Sequence, residues 1–192
     1  MTTSIAIPTL TSQRIVVVGT SGAGKTTFAR RLSQATGLPH IELDGLHWLP
    51  NWTPRPKEEF IARVREAASE ERWIVDGNYS AVRDLLWSRA ELLVWLNYGF
   101  PRVFWRAVSR SVRRVVTGEE LFGGNRETWR EFISRDGIPR WVLRTFWRRR
   151  REIPLLLGEE RYRHLHCQEF RTPRHAEAFL SELNRSGCPA PR

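Results

Sequence analysis

The sequence predicts a single α/β domain of three layers, in which a parallel sheet lies between two layers of helices. Short β-branched runs alternate along the chain with longer segments whose apolar residues recur at helical spacing. The first run, Arg14 to Gly19, is apolar at consecutive positions, as expected for a central strand that is buried on both faces. With 192 residues, 41% of them hydrophobic, the chain is long enough for one sizeable core.

The predicted elements follow in a regular order through the first 116 residues. Gly37 and Pro39 end the first helical pattern, and the third helix places its arginines opposite its apolar residues. Such alternation indicates parallel strands that are joined by helical crossovers. The predicted elements are strands at 14–19, 40–43, 73–75 and 92–96, and helices at about 25–35, 57–71 and 102–116.

The segment 117–153 departs from this alternation. Glycines interrupt it at four positions, and we interpret it as a basic helical insertion. A strand at 164–167 and a helix at 176–183 complete the domain. The predicted domain spans 1–192, with a core at about 13–116 and 154–185, the insertion at about 117–153, and frayed ends at 1–12 and 186–192.

The positive charge of the chain is concentrated in one region. The formal net charge is +10, and residues 102–151 contain fourteen arginines but five acidic residues. No long apolar run or signal-peptide pattern is present, so membrane insertion and export are not expected and the predicted location is cytoplasmic. Cys167 and Cys188 lack the spacing of a disulfide framework or a zinc site, and we expect free thiols.

The residues between the first strand and the first helix match the phosphate-binding pattern G-x-x-x-x-G-K-[ST]. Glycines let the backbone curl so that successive N–H groups point at phosphate oxygens, and the helix N-terminus adds positive charge. Lys25 is expected to bridge the β- and γ-phosphates and the Thr26 hydroxyl to bind magnesium, so ATP and Mg²⁺ are the predicted cofactors. The predicted ATP-binding residues are Gly19, Thr20, Ser21, Gly22, Ala23, Gly24, Lys25, Thr26 and Thr27.

The rest of the sequence disfavours two classes of P-loop protein, the GTPases and the ABC-type ATPases. The D-x-x-G and N-K-x-D strings of GTPases do not occur in the sequence, and an ABC-type ATPase would need a longer chain. A short domain with a basic helical insertion after the fourth strand has the layout of adenylate-kinase-like small kinases, in which the insertion closes over ATP as a lid.

Over roughly Arg14 to Leu183 the chain resembles a bacterial group of adenylate-kinase-related P-loop kinases that are called topology modulation proteins. The resemblance lies in four motifs, I-V-V-V-G-T-S-G-A-G-K-T-T, H-I-E-L-D-G-L-H-W, W-I-V-D-G-N-Y-S and V-W-L-N-Y-G-F-P-R. It implies a P-loop fold with five parallel strands in the order 2-3-1-4-5, a helical lid, and transfer of the γ-phosphoryl group of ATP. The resemblance does not identify the acceptor.

Two aspartates follow predicted strands, at the edge where open parallel sheets bind ligands. We assign Asp76 to magnesium, through water. Asp44 is expected to face the acceptor, as in the kinases that the chain resembles, and to position a hydroxyl or accept its proton. For both residues the alternative is an aspartate that initiates an Asp-Gly turn.

Aromatic and polar residues near these aspartates are candidates for an acceptor pocket. Some lie in a proline-bearing loop after the second strand, where core packing of the tryptophan and a structural role of the histidine are alternatives. Others follow the third strand, on the side where small kinases bind the acceptor. The predicted acceptor-binding residues are Asp44, His47, Trp48, Asn78, Tyr79 and Arg83.

Arginines of the insertion are candidates for contact with phosphate. Arg140, Arg144 and Arg148 recur every four residues and share a helix face, where like charges repel unless an anion faces them. Arg126 follows two glycines at a potential hinge, whereas residues 149–151 are expected on the solvated surface. The predicted catalytic residues are Lys25, Asp44, Arg126 and Arg144.

The sequence-based hypothesis is therefore an ATP-dependent phosphotransferase that acts on a small-molecule or nucleotide acceptor. Trp129, Trp141 and Trp147, which stand among the arginines, leave two alternatives open. One is a nucleic-acid 5′-hydroxyl kinase, and the other is a nucleic-acid-binding protein that uses ATP as a conformational switch. The sequence does not predict the oligomeric state.

Overall fold

The computed structural model describes residues 12–185, and its centre is a parallel sheet. The strands in this range are β1 (Arg14–Gly19), β2 (His40–Glu42), β3 (Trp48–Leu49), β4 (Thr53–Pro54), β5 (Trp73–Asp76), β6 (Leu92–Leu96) and β7 (His166–Phe170). Five of them form the parallel sheet in the order β2-β5-β1-β6-β7, and β3 and β4 form a small antiparallel hairpin. Without the hairpin strands this order is 2-3-1-4-5. The α/β fold with five parallel strands is thereby confirmed.

Helices of very different length connect the strands. The α-helices in the described range are α1 (Lys25–Thr36), α2 (Leu43–His47), α3 (Lys57–Ala67), α4 (Arg83–Trp87), α5 (Phe100–Thr117), α6 (Trp129–Ile133), α7 (Ile138–Leu157) and α8 (Pro173–Arg185). Within residues 12–185, none of them combines the length and the apolar character that a membrane crossing requires.

The sheet is covered on both faces, because consecutive residues of β1 point in opposite directions. Ile15 and Val17 belong to one apolar core, together with side chains of α1, α5 and α8. Val16 and Val18 belong to a second core, together with side chains of α3 and α4. All four β1 side chains are at most 2% exposed, and burial of each stabilises the fold by about 1.5 to 3 kcal/mol.

Helix α7 contributes to both cores. Val142 and Phe146 lie in the first core, whereas Ile153 and Leu156 lie in the second. The sequence-based division places all of these residues except Leu156 in the insertion at 117–153. These buried side chains attach α7 to the domain along most of its length.

The part of the insertion that precedes α6 docks on the hairpin formed by β3 and β4. Asn125 is 5% exposed; its Nδ2 donates to the Leu49 carbonyl at 2.8 Å and its Oδ1 accepts from the Trp52 amide at 2.8 Å. The Trp52 indole donates to the Arg126 carbonyl at 3.2 Å. The region expected to be a loop after the second strand is therefore a short helix and a hairpin that the insertion supports.

Several predicted boundaries differ from the structure. The last strand begins at His166 rather than at residue 164, because Leu165 is buried in the turn before it and the edge strand exposes His166 and Cys167. Helix α3 ends at Ala67, four residues before the predicted end at 71, and the insertion includes packed residues of α7. Apart from residue 12, the predicted frayed ends at 1–12 and 186–192 lie outside the described residues, as does Cys188.

Candidate active site

The phosphate loop joins β1 to α1 and is pressed against α5. At Gly22 the backbone has φ 87°, and a Cβ atom there would lie 2.4 Å from the carbonyl oxygen of Val103 and 2.8 Å from Cβ of Ala107. Both the conformation and the lack of space require glycine at this position. The Ala23 amide donates to the Thr20 carbonyl at 3.0 Å, which closes the turn. Contact with α5 thus fixes the curled backbone that the motif predicts.

Asn78, a predicted acceptor-binding residue, is hydrogen-bonded to the phosphate loop. Its Oδ1 accepts from the Gly19 amide at 3.3 Å, and its Nδ2 donates to the Gly19 carbonyl at 2.5 Å. The two residues meet because β1 and β5 are parallel neighbours, so that the segments after both strands lie at the same edge of the sheet. The Asn78 side chain therefore holds the first glycine of the loop.

Lys25, the first residue of α1, lies among charged groups from several elements. Burial lowers the pKa of Lys25, and the negative charges of Asp44 and Asp76 oppose this shift. The positive charges of Arg149 and Arg110 lower the pKa of Lys25 further. Lys25, the two aspartates and the two arginines thus form one electrostatic cluster at the phosphate loop, and the sequence analysis had not placed either arginine there.

Two carboxylates lie beside the Thr26 hydroxyl. Thr26 Oγ1 donates to Glu42 Oε1 at 3.0 Å and lies 3.3 Å from Asp76 Oδ1. Glu42 and Asp76 are opposite each other in the register of β2 and β5. Asp76 is 2% exposed, and its Oδ2 is 2.8 Å from His40 Nε2. Burial, followed by the negative charge of Asp76, raises the pKa of Glu42.

This group of oxygens suits a magnesium ion that is bound together with phosphate. Mg²⁺ prefers oxygen ligands, retains several waters, and is held by one or two carboxylates when phosphates complete its shell. Among residues 12–185 there is no cluster of three or more His, Cys, Asp and Glu side chains that could hold a metal ion alone. A cation would also relieve the repulsion that raises the pKa of Glu42. Sequence analysis missed Glu42, although it ends β2 as Asp76 ends β5.

Four of the predicted acceptor-binding residues lie close together around α2. The Tyr79 hydroxyl donates to Asp44 Oδ1 at 2.7 Å, and burial and the charge of Asp44 raise the pKa of Tyr79. Tyr79 therefore remains a donor at neutral pH. The His47 ring lies 4.5 Å from the Tyr79 ring and 4.8 Å from the Trp48 ring, measured between centroids. Burial lowers the pKa of His47, and its buried Nδ1 has no hydrogen-bond partner among the described residues.

A cavity opens next to Asn78 and Tyr79. Arg83 Nη2 pairs with Glu152 Oε1 at 2.6 Å, and Arg149 Nη1 donates to the Asn78 carbonyl at 3.3 Å. Burial lowers the pKa of Arg149 to about 10. The expectation that Arg149 lies on the solvated surface is therefore wrong. The cavity is lined by Val16, Val18, Leu43, Gly77, Asn78, Tyr79, Arg83, Leu86, Trp87, Arg149, Glu152, Ile153 and Leu156.

Arg110 of α5 is a second cation that the sequence analysis missed. Burial lowers the pKa of Arg110, and its buried Nε has no hydrogen-bond partner within residues 12–185. A buried donor without a partner is costly, and a bound anion would satisfy it. The sequence signal is the position of Arg110 one turn after Ala107, the α5 residue whose Cβ lies against Gly22.

The two insertion arginines predicted to be catalytic form local ion pairs instead. Arg126 Nη2 lies 3.7 Å from Glu120 Oε2, and both side chains are 63% exposed. Arg144 Nη2 lies 3.1 Å from Asp136 Oδ1, and the Arg144 side chain is 55% exposed. Contact of either arginine with phosphate stays a prediction.

Comparisons with known proteins agree with this fold. No protein-family model matches the sequence, and no curated protein matches it. The structure is similar to a gluconokinase from Sinorhizobium meliloti 1021, with 22% identity, a TM-score of 0.50, and coverage of 90% of this chain and 94% of that chain. It is also similar to the shikimate kinase from Acinetobacter baumannii in complex with shikimate, with 17% identity, a TM-score of 0.56, and coverage of 92% and 96%.

These similarities establish the fold of small P-loop kinases for this chain. At such identities they do not establish an activity. The narrower group of topology modulation proteins stays a prediction from the four motifs.

Proposed function

We propose that this chain is an ATP-dependent phosphotransferase that moves the γ-phosphoryl group of ATP to a hydroxyl of a small acceptor. The observation that carries the proposal is the environment of Lys25. Its charge is coupled electrostatically to Asp76, which lies beside the Thr26 hydroxyl, and to Asp44, which accepts a hydrogen bond from Tyr79 and which we assign to the acceptor. A cation in this place can stabilise the negative charge of a phosphoryl group while it moves from ATP to the acceptor.

In the proposed reaction, residues 19–27 hold the phosphates of ATP. The acceptor oxygen forms a bond to the γ-phosphorus while the bond from that phosphorus to the β,γ-bridging oxygen breaks, and ADP leaves. Asp44 positions the attacking hydroxyl or accepts its proton, while Tyr79 fixes the other carboxylate oxygen. Lys25, Arg110 and Arg149 stabilise the charge on the transferring group.

Magnesium has a place in this proposal at Thr26, Glu42 and Asp76. When bound there, Mg²⁺ would neutralise charge on the β- and γ-phosphates. The Thr26 hydroxyl and the two carboxylates are the residues that would hold it.

The cavity walls indicate the chemistry of the acceptor. Leu86 and Trp87 supply an apolar wall, and the Arg83–Glu152 pair supplies a donor and an acceptor. Arg149 adds a desolvated positive charge. The chemistry of these walls would suit a small hydroxylated compound that carries an anionic group, and the similar kinases are named for gluconate and shikimate. With ATP as the donor, we place the activity in the cytoplasm.

The proposal is tested with γ-labelled ATP, magnesium and a panel of acceptors. The panel contains hydroxylated carboxylic acids, sugars, nucleosides, nucleoside monophosphates and 5′-hydroxyl oligonucleotides. A labelled small product is expected. Label on the oligonucleotide alone would favour the alternative 5′-hydroxyl kinase, and ATP binding without any phosphorylated product across the panel would favour an ATP-operated switch.

Two variants distinguish the proposed roles. Lys25→Ala should lose both ATP affinity and transfer, because the lysine contacts the phosphates. Asp44→Asn should keep ATP affinity and lose about 10²-fold to 10⁴-fold in kcat, the usual range for a positioned proton acceptor. Normal turnover by Asp44→Asn would contradict the assigned role of Asp44, and normal turnover by Lys25→Ala would contradict the phosphate site itself.

A further inference from the structure

One exposed face of α7 combines arginines with tryptophans and carries no acidic residue. The residues of this face are Arg140, Trp141, Arg144, Trp147, Arg148 and Arg151, all of them exposed, and we call them the basic-aromatic stripe. At about 100° per residue they occupy an arc of roughly 120° on the helix. The single acid of α7, Glu152, is paired with Arg83 at the cavity.

The tryptophans of the stripe are large apolar groups in contact with solvent. Trp147 is 55% exposed and Trp141 is 38% exposed. The Trp147 ring is nearly parallel to the Phe100 ring, at 6.1 Å and 19°, and perpendicular to the Phe146 ring at 4.8 Å. These contacts hold the Trp147 indole in one orientation while more than half of it remains accessible, so it forms a fixed platform for stacking.

The arginines of the stripe have few acidic partners. Arg144 pairs with Asp136 at 3.1 Å, but both side chains are more than half exposed, and such pairs are worth at most about 1 kcal/mol. Within the described residues, the other three arginines of the stripe form no ion pair. Like charges spaced three to four residues apart on a helix repel one another. A polyanion that lies along the helix would relieve this repulsion.

We infer that the basic-aromatic stripe binds single-stranded nucleic acid. Such a strand presents phosphates to cations and unpaired bases to aromatic faces, and this combination matches the alternating arginine and tryptophan side chains. A duplex hides its base faces, so it offers nothing to Trp141 and Trp147. This inference does not rest on the proposed phosphotransferase activity.

An anionic membrane is the rival occupant, and the packing of α7 disfavours it. An interfacial helix inserts an apolar face into lipid and keeps its cations on the opposite face. In α7 the apolar face is buried in the two cores through Val142, Phe146 and Ile153. The remaining face mixes four arginines with its tryptophans and with the exposed Leu143 and Leu155, so it has no separate apolar side that could insert deeply.

Fluorescence anisotropy with the full chain and a labelled single-stranded oligonucleotide of mixed sequence tests this inference. Binding is expected at low salt, with and without saturating ATP, and it should exceed the binding of the same sequence as a duplex. Arg140→Gln combined with Arg148→Gln should reduce the slope of log affinity against log salt by about 1.4, since each phosphate contact contributes about 0.7 for single strands. Trp141→Ala should weaken binding about 5-fold to 150-fold, the range for loss of one stacked base.

The matched control is Arg63→Gln combined with Arg65→Gln, which removes the same charge from the exposed face of α3. It should keep the salt slope and lose little affinity, and thermal melts should show that all variants are folded. Equal losses of oligonucleotide affinity in the control would overturn the inference, because they would show that binding depends on the overall positive charge and not on the stripe. Complete displacement by ATP, equal binding of polyphosphate, or binding to phosphatidylserine vesicles but not to the oligonucleotide would also overturn it.

Discussion

The Asn78 side chain forms two hydrogen bonds with the backbone of Gly19. Its Oδ1 accepts from the Gly19 amide at 3.3 Å, and its Nδ2 donates to the Gly19 carbonyl at 2.5 Å. The first glycine of the phosphate loop is thereby tied to the segment after β5. The carbonyl of Asn78 in turn accepts from Arg149 at 3.3 Å. One residue thus connects the phosphate loop to the cavity and to α7.

Replacement of Asn78 tests this bracing role. Asn78→Ala removes two hydrogen bonds, each worth about 0.5 to 1.5 kcal/mol, and leaves the loop less ordered. We expect ATP affinity to fall about tenfold and the KM for the acceptor to change little. Isothermal titration with ATP and steady-state kinetics measure the two effects. A higher acceptor KM at unchanged ATP affinity would instead support the original hypothesis that Asn78 contacts the acceptor.

Glu42 makes stability depend on pH and on magnesium. Its pKa is raised from 4.5 in the folded protein, so the folded state binds the proton more tightly than the unfolded chain does. The contribution of protonated Glu42 to folding stability is fully present below the pKa that Glu42 has in the unfolded chain. It is lost as the pH rises through the raised pKa that Glu42 has in the folded protein. Without magnesium, Glu42→Gln should therefore melt at a higher temperature than the wild type at pH 7, and this advantage should shrink toward pH 4.

Magnesium should reverse the order of the melting temperatures of the wild type and Glu42→Gln. Bound Mg²⁺ favours the charged carboxylate, so the wild type should gain more thermal stability from Mg²⁺ and ATP than Glu42→Gln does. Melting curves from pH 4 to 8, with and without the metal, measure both effects, with the exposed Glu58→Gln on α3 as the control. A melting temperature of Glu42→Gln below that of the wild type at pH 7 in the absence of metal would contradict this account.

Local patterns were sufficient to predict the parallel strands and the strand, glycine loop and helix at residues 14–36, whereas the strand order came from the resemblance to a family. A β-branched run, a glycine loop and an amphipathic helix follow one another directly, and each is determined by residues close in sequence. Prediction of the Glu42 site would have required the register between β2 and β5, because this register brings residue 42 opposite residue 76. That pairing is not local, although acids at the ends of two parallel strands were a usable signal.

The prediction that Arg149 lies on the solvated surface is wrong for a different reason. The four-residue spacing of Arg140, Arg144 and Arg148 defines the charged face of α7 but does not show which arginines lie beside the apolar face. The apolar residues Val142, Phe146, Ile153 and Leu156 define the opposite face, and position 149 falls between them. Reading the helix from its apolar residues would have placed Arg149 inward.

Gly22 and Gly37 separate the effects of crowding and backbone strain. Both have positive φ, 87° and 71°, but a Cβ at Gly22 would meet α5 at 2.4 Å, whereas no atom lies within 4 Å at Gly37. Gly22→Ala should cost about 3 kcal/mol or more of folding free energy and abolish ATP binding, and Gly37→Ala should cost about 1 kcal/mol. Urea denaturation measures both. Equal costs would show that α5 yields easily to the added methyl group.

The arginines of α7 provide the sharpest test of the proposed site. Arg149 contacts Asn78 and acts on Lys25, whereas Arg144 lies on the exposed face beside Asp136. Arg149→Ala should therefore lower kcat/KM by about 30-fold to 1000-fold, which corresponds to loss of about 2 to 4 kcal/mol of electrostatic stabilisation. Arg149→Lys keeps the charge and should recover part of the loss. From its observed position Arg144→Ala should change the rate less than about threefold. A loss as large as that of Arg149→Ala would show that the insertion moves during catalysis and brings Arg144 to the phosphates.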